Sequence, residues 1–124
     1  MLTYGFYNSV NNDRRYNAIQ FSKLFDGIIT DGVFQTIENK LNVSPNSGMI
    51  LNIETGRAWF NHTWNWNDAT TLITIPASEI ILPRIDAVVL EIDTSPSVRE
   101  NSFKVVKGTP GAAPERPILT KSEF

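Results

Sequence analysis

The sequence of residues 57–66, Arg57-Ala58-Trp59-Phe60-Asn61-His62-Thr63-Trp64-Asn65-Trp66, decides the fold that we expect for this chain. If Asn61-His62 forms a two-residue hairpin turn, the flanking residues become two paired antiparallel strands. The pairs would be Arg57 with Trp66 and Trp59 with Trp64. Because side chains alternate along a strand, these four residues would share one face of the ribbon. The turn would need a positive φ at His62, where glycine is the more usual residue.

Alternation of apolar and polar residues on both sides of this hairpin predicts further strands. Residues 49–53, 71–75 and 103–106 have the β-branched, period-two pattern of half-buried strands. Residues 85–92 are apolar on both faces, which predicts a central strand covered on both sides, with 103–106 as its hairpin partner. Residues 44–48 are expected to form a loop, and residues 33–37 fit either a strand or a helical turn.

The first third of the chain predicts one short helix, at about residues 18–26. Asn17 is a good N-cap, and Gln20, three residues later, completes a capping box. Tyr16 and Phe21 occupy the positions of a hydrophobic staple, and Gly27 can end the helix in a left-handed conformation. We expect this helix to pack flat against a sheet.

Together these patterns predict a mainly β protein, a β-sandwich or open barrel of short antiparallel strands with one short N-terminal helix. The 124 residues fit a single domain. We divide it into an irregular segment with the helix (1–32), a β core (33–107) and an extended exit segment rich in Pro and Gly (108–124). The short apolar run before Phe124 suggests that the chain is the N-terminal part of a longer protein.

The composition argues against several classes of function. Apolar residues make up 41% of the chain, which is enough for a packed core. The 11 basic and 13 acidic residues give a net charge of −2 without a basic cluster, so a nucleic-acid partner is not expected. Absence of cysteine excludes disulfides, thiolate metal sites and a cysteine nucleophile. The sequence has no signal-peptide pattern and no apolar run near the roughly 20 residues that span a bilayer.

Catalytic and metal chemistry are not expected either. His62 is the only histidine, and at a hairpin tip we expect no second group to orient it as a base. Asp26 and Asp31 lack the dense oxygen-ligand spacing of a calcium loop, so turn residues are the simpler interpretation. We therefore predict no enzyme activity, no catalytic residues, no bound metal and no cofactor.

Carboxylates elsewhere leave one alternative open. A pair of carboxylates can hydrolyse a glycosidic bond, but the sequence brings no two of them to a useful separation. The candidates lie on or beside predicted strands: Glu54, Asp86, Glu91 and Asp93. For Asp86 with Arg84, an ion pair or a cap for a neighbouring loop is the simpler interpretation.

The predicted face of Arg57, Trp59, Trp64 and Trp66 is the one candidate binding surface. Large aromatic side chains most often fill a core or a subunit interface, because large apolar patches rarely stay exposed. A flat tryptophan face can also stack on sugar rings, so a saccharide platform is the alternative. In either case Arg57 beside Trp66 is expected to form a cation–π pair.

Three segments resemble tail and baseplate proteins of phages and prophages of Gram-positive bacteria. They are residues 4–9 with 21–33, residues 56–61 with Trp64, and the Arg-Ile-Asp strand at 83–90 followed by Lys-Gly-Thr-Pro at 104–110. They keep the same order and span most of the chain. His62 departs from the family, which often has glycine there.

This resemblance implies a virion structural protein of the phage tail. Its expected role is to assemble or anchor the host-adhesion device at the baseplate or tail tip, as a symmetric homo-oligomer, with a trimer favoured. Expected partners are further copies of the chain, other tail proteins and, in the alternative, a host cell-wall saccharide. The expected location is the virion tail, encoded by a prophage and assembled in the bacterial cytoplasm, with no membrane insertion.

Overall fold

The structure, a computed structural model, describes residues 1–78 and 81–119 as one helix and eight short strands. Helix α1 spans Ala18–Ser22 and continues into a single 3₁₀ turn, Lys23–Phe25. The strands are β1 (Gly32–Val33), β2 (Val43–Ser47), β3 (Ile50–Ile53), β4 (Gly56–Phe60), β5 (Thr63–Asn67), β6 (Thr71–Thr74), β7 (Ala87–Asp93) and β8 (Glu100–Val106).

These strands form three small antiparallel sheets. Their orders are β1-β4-β5, β2-β3-β6 and β7-β8. The prediction of a mainly β fold of short antiparallel strands with one short N-terminal helix is confirmed. The described strands close no barrel. Three of the pairings, β2 with β3, β4 with β5 and β7 with β8, join strands that are neighbours in sequence.

The helix begins where the sequence predicts. The Asn17 side chain accepts a hydrogen bond from the Gln20 amide at 2.9 Å, and the Gln20 side chain accepts one from the Asn17 amide at 3.0 Å. This reciprocal pair satisfies two amides that the first turn leaves without a partner. Gly27 has φ +82°, the left-handed conformation that ends a helix. The regular α-helical part, however, ends at Ser22, four residues before the predicted end.

A row of aromatic rings connects the N-terminal segment to the sheets. Residues 1–17 are exposed and form no helix or strand. Phe6 contacts both staple residues, with ring centroids 5.2 Å from Tyr16 and 5.9 Å from Phe21. Phe21 contacts Phe25, whose ring lies edge-on to Trp59 at 5.6 Å. The 3₁₀ turn therefore meets the sheet through Phe25, whereas the residues of α1 other than Ser22 are exposed, so the expectation that the helix packs flat against a sheet is wrong.

The core is formed by the end of β3 and by β4. Among the described residues, the buried apolar side chains are Ile53, Ala58 and Trp59. Gly56 at the start of β4 is also buried, and a Cβ added there would lie 2.5 Å from the Leu41 amide nitrogen. Only glycine therefore lets the backbone at residue 41 approach β4 so closely.

The loop predicted at residues 44–48 is wrong, since residues 43–47 form β2. β2 is the edge strand of its sheet, and its pairing with β3 shifts register between Pro45 and Ser47. Proline cannot donate to a ladder, but an edge strand at an irregular register tolerates it. The turn shrinks to Gly48 and Met49, where Gly48 has φ +55°.

The central strand predicted at residues 85–92 is also wrong in its position. β7 pairs with β8 in a two-stranded sheet, and within the described residues no third strand joins it. Its apolar side chains are half-buried rather than enclosed on both faces. The predicted hairpin partner 103–106 is confirmed, as part of a longer strand.

The exit segment bends instead of running extended throughout. Thr109 and Glu115 form an antiparallel bridge around a bend at residues 111–113. Gly108 packs so closely on the Ile85 carbonyl that a side chain there would collide with it. The last five residues of the predicted segment, 120–124, lie outside the described residues.

Candidate functional site

The hairpin of β4 and β5 forms with the register that the sequence predicts. Arg57 pairs with Trp66, Trp59 with Trp64 and Phe60 with Thr63. Asn61 and His62 form the two-residue turn, with φ +46° and +61°. Positive φ at both residues is the conformation of a type I′ turn, whose twist matches that of the strands it joins.

The three tryptophans differ in exposure although they share one face. Trp59 is 7% exposed and lies beneath Phe25 of the 3₁₀ turn. Trp64, directly opposite it, is 72% exposed, and Trp66 is 49% exposed. Trp59 therefore belongs to the core, whereas Trp64 and Trp66 form an exposed aromatic surface on β5.

Two charged side chains hold Trp66 in place. The Arg57 guanidinium carbon lies 4.3 Å from the centroid of the Trp66 ring, which confirms the expected cation–π pair. On the ring edge, Trp66 Nε1 donates a hydrogen bond to Glu38 Oε1 at 3.2 Å. Trp66 is thus oriented by its neighbours before any ligand or partner arrives.

The expectation that no second group orients His62 is wrong. Asp26 Oδ1 lies 3.0 Å from His62 Nδ1, which links the hairpin tip to the end of the 3₁₀ turn. Both side chains remain partly exposed. A histidine with a carboxylate is two parts of a hydrolytic triad, and general-base catalysis also requires a nucleophile within hydrogen-bond reach. The contact between His62 and Asp26 holds the tip of the hairpin against the end of the 3₁₀ turn.

The outer edge of β5 has free hydrogen-bonding groups. A two-residue turn is closed by a hydrogen-bonded pair, here Phe60 with Thr63, and hydrogen-bonded pairs then alternate along the ribbon. The backbone groups of Trp64 and Trp66 therefore point away from β4. On the opposite strand, the Arg57 carbonyl accepts from the Phe34 amide on the β1 side, which is consistent with this alternation. Within the described residues, no strand pairs with this edge of β5.

A cleft of about 520 Å³ runs along this edge, between β5 and the start of β8. Residues 63–67 line one side and residues 99–103 the other. Asn101 Nδ2 bridges the strands, donating to Thr63 Oγ1 at 2.9 Å and to Asn65 Oδ1 at 2.6 Å. Asn67 Nδ2 donates to the carbonyls of Ile53 and Glu54. These amides hold strands together.

The four candidate carboxylates have structural partners. Glu54 accepts from Thr70 Oγ1 at 3.1 Å, Glu91 pairs with Lys104 at 2.8 Å, and Asp93 accepts from the Ser95 amide at 2.9 Å. Asp86 forms two hydrogen bonds with Arg84, at 2.7 and 2.9 Å, and accepts a third from the Gly108 amide at 3.0 Å. The Arg84 guanidinium lowers the pKa of Asp86, and the Gly108 amide adds to this effect against an opposing effect of burial. Asp86 is therefore both ion pair and loop cap, as expected. The described residues contain no cluster of three or more potential metal ligands.

Sequence reasoning identified the aromatic face but missed what surrounds it. Glu38 reaches Trp66 from 28 positions away, and no local pattern signals that contact. Phe25 lies within the predicted helix at about 18–26, yet only the fold shows that it covers Trp59. The open edge of β5 follows from the order of the strands in the sheet.

No protein-family model, curated protein or solved structure matches this chain. In the part of the chain that the structure describes, no helix has the length and apolar character needed to cross a membrane.

Proposed function

We propose that this chain is a structural module of a phage tail, which assembles or anchors the host-adhesion device at the baseplate or tail tip. The phage origin is supported by the three resembling segments of the sequence. The assembly role is supported by the large apolar surface that the chain leaves uncovered. The role we propose is therefore architectural rather than catalytic.

The observation that carries the assembly role is the accessible surface area. A folded monomer of 13.9 kDa is expected to expose about 6,700 Å². This chain exposes 9816 Å², about 3,100 Å² more. Each partner of a standard interface contributes about 800 Å², so the excess is enough for more than one contact.

The N-terminal segment contributes much of this apolar surface. Several large apolar side chains there are exposed: Met1, Leu2, Tyr4, Tyr7 and Val10. Soluble monomers rarely expose apolar patches of more than a few hundred Å², and larger patches mark interaction sites. We propose that this segment lies against neighbouring copies or other tail proteins in the assembled tail.

Light scattering across a concentration series tests the self-association. A trimer, or a multiple of one, supports the proposal. The variant Leu2→Asp/Val10→Asp changes two exposed residues of the N-terminal segment and should reduce the mass of the oligomer. Ile118→Asp changes an exposed apolar residue outside that segment and is the control, which should leave the mass unchanged. A chain that stays monomeric at every concentration contradicts self-assembly. Mass spectrometry of purified phage particles tests the location, and absence of the chain from tails contradicts it.

A saccharide platform is the second candidate, favoured by the exposure of Trp64 and Trp66. Aromatic faces of this kind stack on sugar rings, and Arg57 and Glu38 beside them could contact hydroxyl groups. Host cell-wall saccharides should then quench tryptophan fluorescence in a saturable way. Trp64→Ala/Trp66→Ala should abolish that quenching and leave the signal of buried Trp59. Absence of saturation over a panel of wall polymers contradicts this candidate.

A further inference from the structure

We propose that the outer edge of β5 pairs with the same edge of a second copy of the chain, antiparallel and across a two-fold axis at Asn65. This contact goes beyond the proposed function, because it names the surface and the symmetry of one self-contact. It does not depend on the phage origin of the chain.

The first support is the direction of the free backbone groups. Trp64 and Trp66 present their N–H and C=O groups outward, and an unpaired edge strand is a template for another strand. In an antiparallel pair, the residues that exchange both hydrogen bonds alternate along the strand. When Trp64 lies opposite Trp66 of the second copy, the outward N–H and C=O groups of each residue meet those of the other. The two-fold axis generates the same pair again, between Trp66 and Trp64 of the second copy. The contact then has four backbone hydrogen bonds.

The second support is the near-palindromic sequence of β5. Thr63-Trp64-Asn65-Trp66-Asn67 keeps its pattern of polar and tryptophan positions when it is reversed about Asn65. Pairing in this register puts the tryptophans of both copies on one face of a continuous sheet. That sheet would have six strands, in the order β1-β4-β5-β5-β4-β1. Directly opposite aromatic residues are among the stabilising cross-strand pairs.

The third support is the area that the contact can cover. A tryptophan buries at most about 250 Å², so the exposed parts of Trp64 and Trp66 offer about 300 Å² per copy. Because these side chains stand on the face of the paired sheet, the four tryptophans supply at most about half of the 1,200 Å² of a small specific interface. The chain's excess exposed surface provides area for the remainder.

The register makes a charge test possible, since position 64 of each copy faces position 66 of the other. Trp64→Lys/Trp66→Lys places like charges opposite each other, which opposes pairing. Trp64→Lys/Trp66→Glu places a lysine opposite a glutamate twice. Both variants remove the same two tryptophans and differ only at position 66, whose charge also faces Arg57 within each copy. Thermal unfolding followed by circular dichroism verifies that each variant is folded.

Sedimentation velocity gives the outcome. We expect the unmodified chain to form even-numbered species, a dimer or a hexamer made of two trimers. The double-lysine variant should halve the mass of the oligomer. It should also raise the dissociation constant of the β5–β5 contact at least tenfold. The lysine–glutamate variant should recover the oligomer mass of the unmodified chain. Added salt should weaken this association again, because it screens the attraction between lysine and glutamate.

Three results would overturn the edge pairing. The unmodified chain could form only species with an odd number of copies, the double-lysine variant could keep the oligomer mass of the unmodified chain, or a folded lysine–glutamate variant could fail to recover that mass. A trimer unaffected by these substitutions overturns the edge pairing alone and leaves the proposed function standing. A dimer that responds as expected, without trimers, supports the edge pairing and contradicts the favoured trimer.

Discussion

The two long hairpins of this protein are stabilised in different ways. β4 and β5 are joined by a two-residue turn, and β4 is covered by Phe25 on one face. β7 and β8 form a sheet by themselves, with half-buried residues along β7. Polar contacts hold the open end of this second hairpin, where Arg84, Asp86 and Gly108 meet.

This difference shows how position in the fold determines which forces dominate. The first hairpin depends on apolar burial, which is insensitive to protonation. The second depends on a carboxylate and a guanidinium that are nearly buried, with exposed side-chain fractions of 12% and 10%. We therefore expect a core truncation to break the first hairpin and a change of protonation to break the second.

The largest effect is expected for Trp59→Ala. Removing a buried tryptophan leaves a cavity beneath Phe25 and should destabilise the fold by about 3–5 kcal/mol. Denaturant unfolding measures this change. Trp64→Ala is the matched control, because Trp64 lies directly opposite but is exposed, and its change should be below about 1 kcal/mol. Equal losses for the two substitutions would contradict the assignment of Trp59 to the core.

The next effect is expected at Asp86. Replacing it by asparagine removes the ion pair with Arg84 but keeps an oxygen for the Gly108 amide, and should cost about 2–3 kcal/mol at neutral pH. Denaturant midpoints at pH 7 measure this loss. Glu91→Gln is the control, since its partner Lys104 is in an exposed pair that contributes little. An unchanged midpoint for Asp86→Asn would show that the ion pair does not hold this hairpin.

The pH dependence follows from the same pair. In the folded chain, the hydrogen bond from Arg84 lowers the pKa of Asp86 below its ordinary value of 3.8. Its contribution to stability is therefore complete above that value and is lost as the pH falls through the lower pKa of the folded chain. Unfolding midpoints between pH 7 and pH 2 should decrease less for Asp86→Asn than for the unmodified chain. Parallel decreases would assign acid sensitivity to other carboxylates.

The smallest effect is expected for His62→Gly in the turn of the first hairpin. Glycine avoids the roughly 1–2 kcal/mol that a left-handed conformation costs other residues, and its own loss of backbone entropy offsets about 0.5–1 kcal/mol of that gain. Loss of the contact with Asp26 opposes this gain, and exposed pairs contribute about 0–1 kcal/mol. We expect a small net rise in the midpoint of thermal unfolding. Asp26→Asn measures the contribution of the contact between His62 and Asp26 alone. A lower thermal midpoint for His62→Gly would show that this contact outweighs the strain of the turn.

The features that could be predicted from the sequence are those set by local geometry. The capping box spans four residues, and the hairpin register follows from a two-residue turn, so neighbouring residues specify both. The pair of Arg84 and Asp86 is equally local. For these features the chain has few alternatives.

What could not be predicted depends on contacts between distant segments. Nothing near Trp66 indicates that Glu38 will accept its indole hydrogen bond. Residues 44–48 have the composition of a loop, and only pairing with β3 makes residues 44–47 part of a strand. The exposure of Trp64 depends likewise on β5 having a neighbour on one side only. Periodicity assigns residues to a face, and the fold decides whether that face is covered.

The local closure of the hairpins also has a kinetic consequence. β2–β3, β4–β5 and β7–β8 each join adjacent segments, and hairpins of this kind form in roughly 1–10 μs. The pairing of Gly32 with Trp59 closes a loop of 27 residues, and such closure has a larger entropic cost. We therefore expect the hairpins to form early and β1, with the preceding helix, to dock later. Until that docking, Trp59 would be open to solvent, and its fluorescence would report the last step of folding.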